Sequence, residues 1–262
     1  MIFQAAITHW RNVAPWPQDA QVEQDLILSR ALVQIFQDSL LAKTILLRGG
    51  TALHKLFVAQ PLRYSEDIDL VQMEAGPIGP VLDAIRSRLD PVLGKPLREK
   101  GPDNVTLRYR MESEIPPVIP LRLKIEINTR EHFTVFGAFS RPFSVHSPWF
   151  EGRAEVRTYA LDELLATKLR ALYQRRKGRD IFDLWMGLGM KEVEPGRVVK
   201  AFRSYMEAEG SEVSRRAFEE NLAAKVSMRQ FSGDLAPLLA PAVRYDAGEA
   251  ARVVMEKLLS EL

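Results

Sequence analysis

The sequence predicts an α+β protein, with a small mixed β-sheet core over residues 1–150 and a mainly helical half over 151–262. Three observations point there. "LRLKIEIN" sets Leu121, Leu123, Ile125 and Ile127 against Arg122, Lys124, Glu126 and Asn128, the alternation of a strand with one buried face. After "EVRTY", near residue 155, the apolar spacing becomes helical in "LDELLATKLRALYQR" and "RDIFDLWMGL". The chain's 262 residues, 46% of them hydrophobic, suffice for one large core or two smaller ones.

In chain order, "VEQDLILSRALVQIFQDSLL" carries Val22, Leu26, Ala31, Leu32, Ile35, Phe36 and Leu40 at mostly helical spacing and reads as an amphipathic helix. "TILLRGG" is a short buried strand ending in a glycine turn. "TALHKLFVA" follows as a helix with Thr51 as its N-cap. "EDIDLV" is a strand with Asp67 and Asp69 on one face and Ile68 and Leu70 on the other. A helix around "IGPVLDAIRSRLD", a strand at "VTLRYRM" and a proline-rich connection at "IPPVIP" complete the first half.

Composition excludes several classes. The net charge of +2 and 27% charged residues describe a globular chain, neither disordered nor polybasic, so nucleic-acid contact would rest on local patches. The absence of cysteine removes disulfides and thiolate metal sites and fits a reducing cytoplasm. "MIFQAAITHWRNV" lacks the pattern of a signal peptide, and no apolar run approaches the ~20 residues of a membrane span. A cytoplasmic protein without membrane contact is expected.

The chemistry concentrates in "LLRGGTALHK" and "RYSEDIDL". Two carboxylates ~5 Å apart repel by about 3 kcal/mol at an effective dielectric of ~20. Such a pair is kept by protonation, by a basic partner or by a hard divalent cation. Oxygen-only ligation suits Mg²⁺, with water and substrate phosphate completing its shell. Glu126 is the natural third ligand if "LRLKIEIN" pairs beside "DIDL". Taken alone, Asp-x-Asp equally describes the wet face of an amphipathic strand. Gly49 and Gly50 add a turn at a strand–helix junction, where phosphate oxygens approach the backbone and meet a helix N-terminus. On an extended strand Ser65 shares the face of Asp67 and Asp69; otherwise it is a turn serine. In "TKLRALYQRRKGRDIFDLW", Lys168 borders the apolar stripe of Leu161, Leu165, Leu169 and Leu172. It either snorkels to solvent or binds a triphosphate. Asp180 and Asp183 share a helical face, and Asp183 would orient a substrate group or the lysine.

These three motifs, in this order across roughly residues 40 to 190, resemble the AbiEii/AbiGii toxin family of nucleotidyltransferases. That family includes the MenT toxins and belongs to the DNA polymerase β-like superfamily. The family's glycine pair corresponds to Gly49 and Gly50, and its Ser-x-Asp-x-Asp to Ser65, Asp67 and Asp69. Its motif lysine corresponds to Lys168, and the last aspartate of its Arg-Asp-x-x-Asp to Asp183. The resemblance implies a nucleotidyltransferase fold whose helical domain contributes Lys168 and Asp183 to the cleft. It also implies transfer of a nucleoside monophosphate from an NTP to the 3′ end of tRNA with Mg²⁺ or Mn²⁺, and a cognate antitoxin as partner. The metal would sit on Asp67, Asp69 and Glu126; Gly49, Gly50, Ser65 and Lys168 would hold the nucleotide. Two other readings keep the same motifs: nucleotidylation of a protein hydroxyl, or a non-catalytic NTP-binding module. The basic clusters "RYR" (108–110) and "RRKGR" (175–179) favour RNA.

Overall fold

A computed structural model describes residues 2–262, the side chain of Ser232 aside. The chain divides into two compact units, one running to Phe133 and including Ala138–Tyr159, the other made of Thr134–Gly137 and Ala160–Leu262. Among the described residues no helix is long and apolar enough to cross a membrane.

The first unit is built on a seven-stranded mixed sheet. Its elements run α1 (Gln4–Trp10), α2 (Asp19–Phe36), α3 (Leu41–Thr44), β1 (Ile45–Arg48), α4 (Gly49–Leu56), β2 (Asp67–Gln72), α5 (Gly79–Leu93), β3 (Leu97–Lys100), β4 (Asn104–Glu112), β5 (Pro120–Asn128), β6 (Ala138–His146) and β7 (Glu151–Tyr159). The spatial order is β3-β4-β5-β2-β1-β7-β6, with β2–β5 and β1–β7 parallel and the other neighbours antiparallel. β5 forms as its alternation demands: Leu121, Leu123, Ile125 and Ile127 are buried, each worth roughly 1.5–3 kcal/mol. Helix α2 packs on this sheet and buries Asp25 in its midst. Two indoles, Trp10 Nε1 at 2.8 Å and Trp16 Nε1 at 3.1 Å, donate to the Asp25 carboxylate, and Lys55 of α4 pairs with it at 2.6 Å. A buried charge held by three donors is a fixed point. It ties α1 and α4 to α2.

The sheet is larger than the alternation of the sequence suggests. β3 and β6 are its two edges, and edge strands carry little apolar signal: every residue of β3 is exposed, and β6 buries Val145 alone while accommodating Pro142. β7 pairs with β1 and β6 and belongs to the first unit, so the helical unit resumes at Ala160 and residue 150 is not where the sheet ends. Thr51 is not an N-cap. α4 starts two residues earlier, at Gly49, because Gly49 takes φ +77°, and Thr51 is buried inside the first turn.

The second unit consists of α6 (Leu161–Gln174), α7 (Gly178–Gly187), α8 (Pro195–Ala208), α9 (Arg215–Val226), α10 (Arg229–Gly233) and α11 (Ala247–Lys257), with 3₁₀ turns at Ala236–Leu238 and Leu259–Glu261. Leu165, Leu169, Phe182, Phe202, Tyr205 and Phe218 lie at its centre. Glu163 of α6 is fully buried and satisfied three times. Val135 N donates at 2.8 Å, Phe136 N at 3.0 Å and Tyr205 Oη at 2.7 Å, while the Arg197 guanidinium covers the Phe136 ring at 4.0 Å. This clasp makes Thr134–Gly137 part of the helical unit.

Candidate active site

In the first unit the strand register sets two rows of charge on one sheet face. Cα partners on neighbouring strands project to the same side, so Arg48, Asp69, Glu126 and Thr106 form one row and Asp67, Lys124 and Arg108 the next. The expected pairing of "LRLKIEIN" beside "DIDL" is present, and it sets Asp69 directly against Glu126. Asp67 and Asp69 are half-buried. Glu126 is engaged, by Lys124 Nζ at 2.6 Å and by Asn104 Nδ2 at 3.2 Å. Burial pulls the Lys124 ammonium down, but Glu126, Asp67 and Asp69 outweigh it and hold it above its ordinary value. Lys124 is therefore a counterion set among the carboxylates. Arg48 approaches from the other side, paired with Glu131 and within the field of Asp69.

The glycine turn closes directly over this row. A Cβ on Gly49 would stand 2.3 Å from Asp69 Oδ2, and one on Gly50 would stand 2.4 Å from Arg63 Nη2 and 3.2 Å from Ser65 Oγ. Both positions need glycine for space, and Gly49 needs it for its positive φ as well. Thr51 locks the turn to β2, with its hydroxyl donating to Asp67 O at 2.5 Å and lying 2.9 Å from Ser65 Oγ. Ser65 thus lies beside the turn as expected, although β2 begins only at Asp67. Arg63 is buried, and its Nη1 donates to Tyr64 O at 3.0 Å. Tyr64 is buried against Trp16, its hydroxyl without a hydrogen-bond partner among the described residues, and burial pushes that phenol up. The first N–H groups of α4 have no intrahelical acceptor. A buried guanidinium, Arg63, lies against Gly50, and Asp69 lies against Gly49, so the helix start, a fixed cation and a carboxylate meet at this turn.

Among the described residues no three acidic or histidine side chains gather tightly enough to cage a metal. The donor set fits Mg²⁺ or Mn²⁺ in its chemistry: two half-exposed carboxylates, oxygen only, beside a glycine turn. Such a cation takes one or two protein carboxylates and fills its shell with water and phosphate oxygens.

The second unit holds its own cluster. Lys168 Nζ lies 2.8 Å from Asp183 Oδ2 and 3.3 Å from Asp180 Oδ1. Both aspartates are 0% exposed and Lys168 is 6% exposed, so the lysine does not snorkel to solvent. Arg175 grips Asp180 bidentately, Nε at 2.7 Å and Nη2 at 2.8 Å, which commits one residue of "RRKGR" to the interior network. Burial pushes the Asp180 carboxyl up, but Lys168 and Arg175 outweigh it and hold the group below the usual carboxylate range. Asp180, Arg63, Lys124 and Asp25 carry no functional signal in the sequence, and Arg175 is legible there only as part of the basic cluster "RRKGR". The donors on Asp25 and the Lys168 partner of Asp180 lie 9 to 30 residues away, and the Lys124–Glu126 pair joins the carboxylate row only once β5 is laid beside β2.

The family model described as "Nucleotidyl transferase AbiEii toxin, Type IV TA system" matches residues 30–252. No curated protein matches the chain. Among solved structures, MenT4, the nucleotidyltransferase toxin Rv2826c from Mycobacterium tuberculosis H37Rv, is similar over 100% of this chain and 91% of its own, at 15% identity and a TM-score of 0.70. JHP933 from Helicobacter pylori is similar over 92% of each chain, at 21% identity and a TM-score of 0.58. A putative nucleotidyltransferase from H. pylori covers 92% of this chain and 95% of its own, at 21% identity and a TM-score of 0.57.

Proposed function

The chain belongs to the AbiEii nucleotidyltransferase toxins of type IV toxin–antitoxin systems, and from that premise we propose that it transfers a nucleoside monophosphate from an NTP to the 3′ end of tRNA, blocking translation. The observation that supports the reading is the close packing of Gly49 on Asp69 and of Gly50 on Arg63 and Ser65, as expected of a phosphate-binding turn beside a carboxylate pair.

In this reading the α4 N-terminus and the Ser65 hydroxyl bind the triphosphate, and Arg63 adds fixed positive charge behind the turn. Asp67 and Asp69 would hold the divalent cation, with Glu126, bonded here to Lys124, as the candidate third ligand. The cation, when bound, neutralises phosphate charge and acidifies the attacking hydroxyl. The acceptor hydroxyl loses its proton to water, its oxygen bonds to the α-phosphorus, the bond from that phosphorus to the α–β bridging oxygen breaks, and pyrophosphate leaves with the charge. Positioning and electrostatics carry most of such a transfer. Lys168 and Asp183 enter the proposal on the match to the family motif alone. A cognate antitoxin is the partner that family membership implies, and the cytoplasm is the expected site of action.

The test is purified protein with Mg²⁺, each labelled NTP in turn and total tRNA, following label into RNA and into protein. Label in the RNA 3′ end is expected. Label confined to protein would replace the acceptor, and bound nucleotide without turnover would leave only a binding module.

A further inference from the structure

The charged rows of the first unit continue past the carboxylates. Along β5 the residues on the site face run Glu126, Lys124, Arg122, and along β4 their antiparallel partners run Thr106, Arg108, Arg110. Each step of two residues advances about 7 Å. The Arg110–Arg122 rung therefore lies about 7 Å beyond Asp67 and Lys124, and about 13 Å beyond Asp69 and Glu126. Glu112 and Pro120 end the face one rung further on.

This last rung is an electrostatic oddity. Two arginines stand directly opposite each other, both exposed, and like charges in that position weaken a sheet. On the neighbouring rung Lys124 is neutralised by Glu126, and Arg108 by a bidentate bond to Glu99 at 3.0 Å and 3.0 Å. Glu99 also feels Arg110 but is committed to Arg108. Neither Arg110 nor Arg122 forms an ion pair among the described residues. Tyr109 between the two β4 arginines is turned inward and buried, its hydroxyl 2.9 Å from Asp90, so it fixes Arg108 and Arg110 on the outer face.

We propose that this face is the track for the acceptor's phosphodiester backbone, with Arg110 and Arg122 gripping one phosphate between them. The inference rests on the nucleotidyl-transfer reading of Asp67 and Asp69. It adds where a polyanionic acceptor meets the protein. A carboxylate centre repels RNA, so an RNA acceptor needs fixed cations just outside that centre, and guanidinium pairs suit phosphate geometry. An acidic protein surface would gain from the same two charges. The alignment of the rung with the carboxylate rows favours a strand threading towards the site.

The experiment measures tRNA binding at several salt concentrations, without NTP, for the full chain and for R110E/R122E. RNA transfer kinetics and thermal melts are run on the same samples. Each lost phosphate contact flattens the slope of log K against log salt by about 0.7–0.9, so the double variant, which gives up the one phosphate held between the two arginines, should lose about that much and bind at least tenfold more weakly near ~0.1 M salt. The KM for RNA should rise while the KM for NTP stays put. The melting temperature should stay level, since one exposed like-charge rung replaces another. R122Q alone, which only deletes charge, should flatten the slope by about half as much. Unchanged slope and affinity in both variants overturn the track. So does an equal rise in both KM values. A slope flattened by the substitutions, beside a wild-type protein that transfers nothing to RNA, would support the track while sinking the acceptor reading. Normal RNA transfer by the double variant would do the reverse.

Discussion

Asp67 and Asp69 of the first unit and Asp180 and Asp183 of the second are aspartate pairs in opposite surroundings. The first pair is half-exposed on a sheet face, its cations spread over Arg48 and Lys124 on neighbouring strands. The second pair is sealed, with Lys168 clamped between both carboxylates and Arg175 closing over one of them. A half-exposed carboxylate remains within reach of solvent and of a ligand. A sealed one spends its lone pairs on the fold, and stripping its partner leaves an uncompensated buried charge. The same residue type thus reads as chemistry in one unit and as architecture in the other, and the distinction is measurable.

The largest expected effect falls on the open pair. Asp67→Ala and Asp69→Ala should each cut transfer by about a thousandfold or more. Thermal stability should stay level or rise slightly, since about 3 kcal/mol of repulsion at ~5 Å is relieved. Transfer assays beside melts check this, and activity surviving in either variant or in excess EDTA would break the comparison. The sealed pair should behave inversely. Lys168→Ala should cost about 3–5 kcal/mol in urea unfolding, towards the lower end because Arg175 still holds Asp180. A Lys168→Ala protein of wild-type stability and no transfer would move Lys168 from the fold into the chemistry.

A smaller effect is expected at Ser65. Loss of one hydrogen bond to a charged group is worth about 1.5–3 kcal/mol, so Ser65→Ala should lower kcat/KM for NTP roughly ten- to a hundredfold. Ser65→Glu, with negative charge beside two carboxylates, should lower it nearly to background. Near-wild-type values in both would leave Ser65 as a bond partner of Thr51 and nothing more.

The smallest effect is a difference in pH dependence. Asp180 is held below its ordinary value, so its contribution is present above about pH 4 and is lost as pH falls through its folded pKa. Glu23 of α2 is the reverse case: burial pushes its carboxyl up against the bond its Oε2 accepts from Glu114 N at 2.9 Å. Its ionisation costs stability as pH rises from about 4 through that raised value. Glu23→Gln should therefore stabilise at pH 7 and not at pH 3, whereas Asp180→Asn should destabilise at pH 7 and less at pH 3. Urea midpoints at the two pH values separate them.

The legibility of these features follows the distance over which their causes act. β5 was readable because its alternation is local, and Asp67, Asp69, Ser65 and the glycine pair because one short stretch holds them all. β3 and β6 were not, since an edge strand needs little apolar surface. The Lys124 counterion appears only when β5 is laid beside β2, and Arg63's burial only when Gly50 meets it. Thr51 was misassigned because a helix start is ordinarily marked by a side-chain cap. Here Gly49's left-handed backbone sets it instead.

The clasp on Glu163 bears on how the molecule can be cut. The polypeptide enters the helical unit at Thr134, leaves at Gly137 and returns for good at Ala160. A fragment beginning at Ala160 would keep a fully buried carboxylate and lose two of its three donors, the amides of Val135 and Phe136. A fragment ending at Tyr159 would carry those amides with nothing to receive them. Neither half is a free-standing module, so a gene split at the sheet–helix border should yield two insoluble pieces. A viable split or insertion has to leave residues 134–137 and α6 on the same piece.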